Sequence, residues 1–148
     1  MAAPAPANVT AEIEIDAPPT TVYAALVDFP KWSEWNPFIV EAAGTATVGD
    51  TLQLRFNDGM RFAPVVEAAE PGKELRWLGK LDRFGLLFNG QHRFELSEPR
   101  PGVTRVRQSE TFTGLLARPL LFVSGGKITK NFESLNEGLK RRAEQLQQ

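Results

Sequence analysis

Lys127-Ile-Thr-Lys-Asn-Phe-Glu-Ser-Leu-Asn-Glu-Gly-Leu-Lys-Arg-Arg-Ala-Glu-Gln-Leu-Gln-Gln148 closes the chain. Ile128, Phe132, Leu135, Leu139, Ala143 and Leu146 recur every three or four residues, with Lys130, Glu133, Glu137, Lys140 and Arg141 on other faces. This spacing predicts an amphipathic helix of about five turns. Its apolar stripe has to be laid on a partner, and the preceding sequence reads almost entirely as strand. Immediately upstream, Leu115 to Ser124 is apolar and contains Pro119, a good first helical residue. Gly125-Gly126 then interrupts the run. Two helical glycines cost about 2 kcal/mol against alanine, so the helix is expected either to start there or to bend there.

Working back from the helix, period-two alternation marks Val103 to Thr113, Leu86 to Leu96, and Glu74 to Leu81 with Leu75, Trp77 and Gly79 on one side. Ser97-Glu-Pro-Arg-Pro-Gly102 and Glu70-Pro-Gly-Lys73 read as turns. Met60 to Ala68 is a further strand in which Pro64, lacking an N–H, implies an edge, a bulge or a bend. Asn57-Asp-Gly59 is a hairpin turn joining it to Thr51 to Phe56. Phe38 to Ala42 and Val9 to Ile15 complete the strands. Between these two, Asp16-Ala-Pro-Pro-Thr-Thr starts a helix carrying Val22, Tyr23, Leu26 and Val27, and Pro30 stops it. Trp32 and Trp35 lie three apart, on one side of a single turn that Pro37 closes. Strand, two short helices, six strands and a long helix make an α+β chain with an antiparallel sheet of about six or seven strands. The Ala/Pro alternation places residues 1–8 in a flexible arm and 9–147 in one domain.

The chain has 148 residues, a length that suits a single domain with a substantial core. A net charge of −1 provides no cationic field for a phosphate backbone, so nucleic acid is not an expected partner. The absence of cysteine excludes disulfides, thiolate catalysis and iron–sulfur clusters. With one histidine and no suitably spaced carboxylates, neither a metal nor another cofactor is expected. No apolar run approaches the ~20 residues of a membrane span, and Met1 to Ala7 has no secretory character. A cytoplasmic protein is the expectation.

Several segments carry a further signal: Ile15-Asp-Ala-Pro-Pro19, Trp32-Ser-Glu-Trp-Asn-Pro-Phe38, Val48-Gly-Asp50, Leu75-Arg-Trp77, His92-Arg-Phe-Glu-Leu96, Thr104-Arg-Val106 and Phe112-Thr-Gly114. The terminal Phe132, Leu135-Asn136 and Leu139-Lys140 belong with them. In this order they resemble the SRPBCC superfamily, the helix-grip fold of START lipid-transfer domains and polyketide cyclase-like proteins, from about Val9 to Gln147. The resemblance is greatest to small stand-alone bacterial members. It implies a curved sheet gripping the long helix around a deep apolar cavity that holds lipids, polyketides or other hydrophobic molecules.

Of ten Phe, three Trp and one Tyr, most are needed simply as core. Trp32, Trp35 and Trp77 also need acceptors for their indole N–H groups, and either Trp32 or Trp35 could line the cavity or seal it. His92 lies in phase with Phe94 and Leu96. Thr104, Val106, Gln108, Glu110 and Phe112 alternate with Arg105, Arg107 and Ser109. If the connection spans Ser97 to Val103, His92 faces Gln108 and Glu110 is a diagonal neighbour about 7–8 Å away. A single bulge would instead turn Glu110 outward. If His92 and Glu110 meet, they share a proton as an imidazolium–carboxylate or as a neutral pair. Arg55, Arg76, Arg93, Arg105 and Arg107 fall on the outward phase.

The leading expectation is a binding protein for a small hydrophobic molecule. Trp32, Trp35, Phe38, Phe62, Trp77, Phe112, Phe122 and Phe132 would supply contact, and His92, Gln108 and Glu110 would orient the ligand. One alternative is a cyclase/dehydratase-type enzyme with His92 and Glu110 in acid–base roles. Another is a partner-binding module using Leu115 to Val123, where a homodimer is also open. Leu115 to Gly126, with the Trp32–Phe38 turn, is the expected portal.

Overall fold

The computed structural model describes residues 7–81 and 84–148. Strand β1 (Ala7–Ile15) is followed by helix α1 (Pro19–Val27), which opens on a proline whose missing N–H is not needed there. A 3₁₀ turn, Phe29–Glu34, carries Trp32. Seven strands come next: β2 (Ile39–Ala43), β3 (Gln53–Phe56), β4 (Arg61–Phe62), β5 (Val65–Glu70), β6 (Glu74–Lys80), β7 (Asn89–Arg100) and β8 (Val103–Thr113). Helix α2 (Ala117–Gln145) ends the fold.

All strand pairs are antiparallel, in a five-stranded sheet ordered β1-β8-β7-β6-β5 and a three-stranded sheet ordered β2-β3-β4. Pro64 divides the expected Met60–Ala68 strand between the two sheets, so the described residues form eight strands and not seven. The sheets remain linked across that bend, where the Leu52 N–H donates to the Pro64 carbonyl at 2.8 Å and the Val66 N–H to the Asp50 carbonyl at 2.9 Å. The resulting curved surface is not a closed barrel, and α2 lies across it against β1, β8 and α1. Ile15, Leu26, Trp32, Leu52, Leu75, Phe94, Leu135 and Leu139 form the main core beneath the C-terminal half of α2. A smaller cluster of Val9, Ala11, Phe112, Ala117 and Phe132 lies toward its N-terminal half.

Four details differ from the sequence reading. Ala7 and Asn8, assigned to the arm, pair in β1 with Phe112 and Thr111, while residues 1–6 lie outside the described residues. β7 begins at Asn89, not Leu86, and continues through the expected turn cluster as far as Arg100. The turn is only Pro101-Gly102, with Gly102 at φ +80°, and an irregularity between Ser97 and Arg100 absorbs the extra residues. Finally, α2 does not start at Gly125-Gly126 but at Ala117, running continuously through both glycines. Pro119 fits inside its first turn because the first four N–H groups of a helix have no intrahelical partner.

Carboxylates fasten the periphery. Glu14 accepts from Arg105 and Arg100 at 2.9 and 3.0 Å, and these bonds hold it below the usual carboxylate range. Arg55 does the same to Glu41. Lys140, together with the Asp16 N–H, does so to Glu144. Each depressed group contributes stability that is present above its unfolded value near 4.5 and is lost as the pH falls through its lower folded value. The thermal midpoint is therefore expected to decline below about pH 4.5, more steeply in the parent than in Glu14→Gln. Equal slopes in the two proteins would show that the Glu14 cluster makes no contribution.

Candidate functional site

Between the two sheets and α2 lies a cavity of about 340 Å³, partly open to solvent. Ile39, Leu54, Phe56 and Phe62 wall one side, from the small sheet. The floor comes from the inward phase of three long strands: Trp77 and Gly79 on β6, Gly90 and His92 on β7, Glu110 and Phe112 on β8. Ser124, Lys127, Ile128, Asn131 and Phe132, spaced three or four apart on one face of α2, form the roof. Gly79 and Gly90 face each other across the β6–β7 ladder. With no side chain at Gly79, the sheet floor is open there, the nearest atoms to its Cβ position being 3.9 Å away, while the space over Gly90 is taken by the carboxyl group of Glu110.

Seven of the expected contact residues line this space: Phe38, Phe62, Trp77, His92, Glu110, Phe112 and Phe132. Four do not. Trp32 is fully buried in the main core, donating its Nε1–H to the Leu26 carbonyl at 3.0 Å and packing between Phe29, Trp35 and Trp77, so it seals the structure behind the wall. Trp35 packs against Gly138 on α2. Phe122 lies off the 124–127–128–131 stripe and is 93% exposed. Gln108 is completely buried, one layer behind His92. Of the expected portal, the Trp32–Phe38 turn contributes only Phe38 to the wall, and the Leu115–Gly126 stretch contributes only Ser124.

The sequence reading missed Phe56, Met60, Lys80, Phe88, Lys127 and the glycine pair, all on the cavity surface. Gly79 carried a usable signal, since an inward glycine in a strand marks a place where something approaches closely.

The polar group on the floor is tighter than expected. Because the β7–β8 turn is short, Leu96 pairs with Val106, and His92 lies directly opposite Glu110, not opposite Gln108. Glu110 keeps its inward phase. His92 Nδ1 is 2.9 Å from Glu110 Oε2, and His92 Nε2 is 2.9 Å from Gln108 Oε1. The Gln108 amide is oriented by partners that accept: its Nε2 donates to the Phe132 carbonyl at 3.1 Å and to Asn136 Oδ1 at 2.7 Å. A backbone carbonyl can only accept, so Oε1 of Gln108 must face His92, and Nε2 of His92 must carry a hydrogen. The remaining contact, Nδ1 to Oε2, then needs a proton of its own, since a bare Nδ1 lone pair would oppose a carboxylate lone pair. That proton is carried by either the imidazole or the carboxyl group. The ring stacks on Trp77 with centroids 4.9 Å apart and meets Phe94 and Phe132 at 4.8 and 4.9 Å. The strand arginines point outward as expected, Arg105 and Arg107 pairing with Glu14 and Glu12.

No helix among the described residues is long and apolar enough to cross a membrane. No curated protein matches the sequence. Similar solved structures include a Mesorhizobium loti protein at 24% identity (TM-score 0.70, covering 91% of this chain and 98% of that one). A START superfamily protein from Mycobacterium smegmatis is 19% identical (TM-score 0.72, 94% and 98%). The di-domain ARO/CYC StfQ from the steffimycin biosynthetic pathway is 14% identical (TM-score 0.71), with 93% of this chain covering 50% of that one. These likenesses establish a shared fold. The family model for polyketide cyclase / dehydrase and lipid transport matches residues 6–144, and with a curved sheet closed over a cavity by a C-terminal helix, the chain belongs to that family.

Proposed function

We propose that the protein binds a small hydrophobic molecule in the cavity between its sheets and α2. The observation that carries this reading is the cavity itself: about 340 Å³ walled largely by aromatic and aliphatic side chains. Protein interiors otherwise pack to the density of organic crystals, and a void of this size offers nothing to stability. On this reading the chain works in the cytoplasm without a nucleic-acid partner. The neutral dye N-phenyl-1-naphthylamine should bind one-to-one with enhanced fluorescence. Gly79→Leu should keep the fold and weaken binding by about tenfold or more, because its first added atom meets only Gly90 O and Pro64 Cβ, both 3.9 Å away, and the rest fills the space. Dye binding that is indifferent to this substitution would overturn the reading.

A second reading rests on the His92–Glu110 contact. A proton held between two titratable groups on a cavity wall suits acid–base work of the cyclase or dehydratase type. His92→Gln would separate the two: a binding protein loses modest affinity, whereas an enzyme loses turnover by ~10²-fold or more. Leu120, Phe122 and Val123, exposed on the outer face of α2, are where a second subunit would sit, and sedimentation at rising concentration tests that arrangement.

A further inference from the structure

Glu110 spends one oxygen on His92 and leaves the other unpaired among the described residues. This atom, Oε1, lies over Gly90, where any Cβ would collide with it. Glycine at position 90 therefore does not widen the floor: it gives the carboxyl group room to turn its second oxygen toward the cavity.

The chemistry of that oxygen is set from behind. The Phe132 carbonyl orients Gln108, Gln108 fixes the hydrogen on Nε2 of His92, and the proton of the Nδ1 contact is held on the Oε2 side of Glu110. Two forms satisfy this chain. In one, an imidazolium faces a carboxylate. In the other, a carboxylic acid donates its O–H from Oε2 to Nδ1. Oε1 is a carboxylate oxygen in the first and a carbonyl oxygen in the second, so in both it can only accept. A ligand group bearing lone pairs alone would meet it lone pair to lone pair. An O–H or N–H group would satisfy it. Around it, Phe38, Phe56, Phe62, Trp77, Phe88 and Phe112 present ring faces and edges suited to a ring-bearing body.

We infer that the cavity selects an apolar, ring-bearing ligand carrying a hydroxyl or N–H group that donates to Oε1 of Glu110, and rejects the same skeleton bearing only an acceptor or a methyl group at that point. This rests on the hydrophobic-ligand reading above and adds the polar requirement to it. Sites built to hydrogen-bond a ligand hydroxyl discriminate strongly against analogues that lack it, because the buried acceptor is left unpaired.

The test displaces N-phenyl-1-naphthylamine with 2-naphthol, 2-methylnaphthalene and 2-methoxynaphthalene. The parent should hold 2-naphthol about tenfold or more tighter than either analogue. Glu110→Leu should bring all three within about twofold of one another. Glu110→Gln guards against a folding defect in the leucine variant. Its amide N–H can donate to Nδ1 and its carbonyl can take the place of Oε1, so a reduced preference should persist, and the ¹⁵N spectrum of His92 should show a protonated Nε2 with a bare Nδ1. Equal binding of 2-naphthol and 2-methylnaphthalene by the parent would overturn the donor requirement while leaving the hydrophobic-ligand reading intact. A preference unchanged in Glu110→Leu would overturn the assignment to Glu110, and a bare Nε2 in Glu110→Gln would overturn the fixed proton. Failure of the dye and all three compounds to bind would overturn the ligand reading, and with it this inference.

Discussion

Trp32→Ala is expected to lower stability by about 3–5 kcal/mol, the range for removing a large buried aromatic side chain. The indole is fully buried, and its neighbours, Phe29 and Trp35 from its own turn and Trp77 from β6, are held by separate elements and cannot all close the space it leaves. Its Nε1–H also satisfies the Leu26 carbonyl in the last turn of α1, one of the helix-end carbonyls with no intrahelical partner. Trp32→Phe keeps most of the ring but orphans that carbonyl, for an expected loss of about 1–3 kcal/mol. Urea unfolding with an unchanged slope measures both. A loss below about 1 kcal/mol in Trp32→Ala would mean that the site collapses around the gap and that Trp32 does not hold α1 to the sheet.

Gly138→Ala is expected to destabilise by about 1–3 kcal/mol, against the ordinary sign of such a change. In the middle of a helix, alanine is normally favoured over glycine by about 1 kcal/mol. Here the new methyl would run into the backbone carbonyl oxygen of Trp35, with Trp35 Cε3 at 3.2 Å and Pro37 Cδ at 3.3 Å also in the way. A backbone atom cannot rotate aside, so α2 would have to lift from the Trp35–Pro37 segment. Gly126→Ala is the control in the same helix: nothing lies within 4 Å of its Cβ position, and it should gain up to about 1 kcal/mol. Thermal unfolding should move in opposite directions for the two. A shared direction would refute the close approach at Gly138.

Which face each residue takes was legible in the sequence, whereas which residue it meets was not. Facing along a strand has period two, so the two-residue displacement of the β7–β8 pairing left His92, Gln108 and Glu110 pointing inward as read, while changing the partner of His92 from Gln108 to Glu110. The source of the displacement is Ser97–Gly102: two prolines and a glycine read as one long turn, yet only Pro101-Gly102 turns the chain. The cavity was harder still to place, because it depends on atoms that are missing. Gly79 opens the floor, and Gly90 makes room for the carboxyl group of Glu110, only when β6, β7 and β8 come together, and nothing local announces that pairing. Trp32 and Trp35 share a side of their turn as expected, but whether that side faces ligand or core is decided by where α1, just upstream, and α2, far downstream, come to lie against it.

Helix α2 divides its work along its length. The residues that bury deepest, Phe132, Leu135, Leu139 and Ala143, lie from its middle to its C-terminus, while Ser124, Lys127, Ile128 and Asn131 form the cavity roof nearer its start. Substitutions at Ser124, Lys127 and Asn131 can reshape the cavity while leaving the core contacts of the C-terminal half in place. On the proposed reading, ligand preference and thermal endurance would drift separately along this helix except at Ile128 and Phe132. On the sheets, Ile39, Leu54, Trp77 and Phe112 serve core and cavity at once, so that a substitution there is felt by both traits.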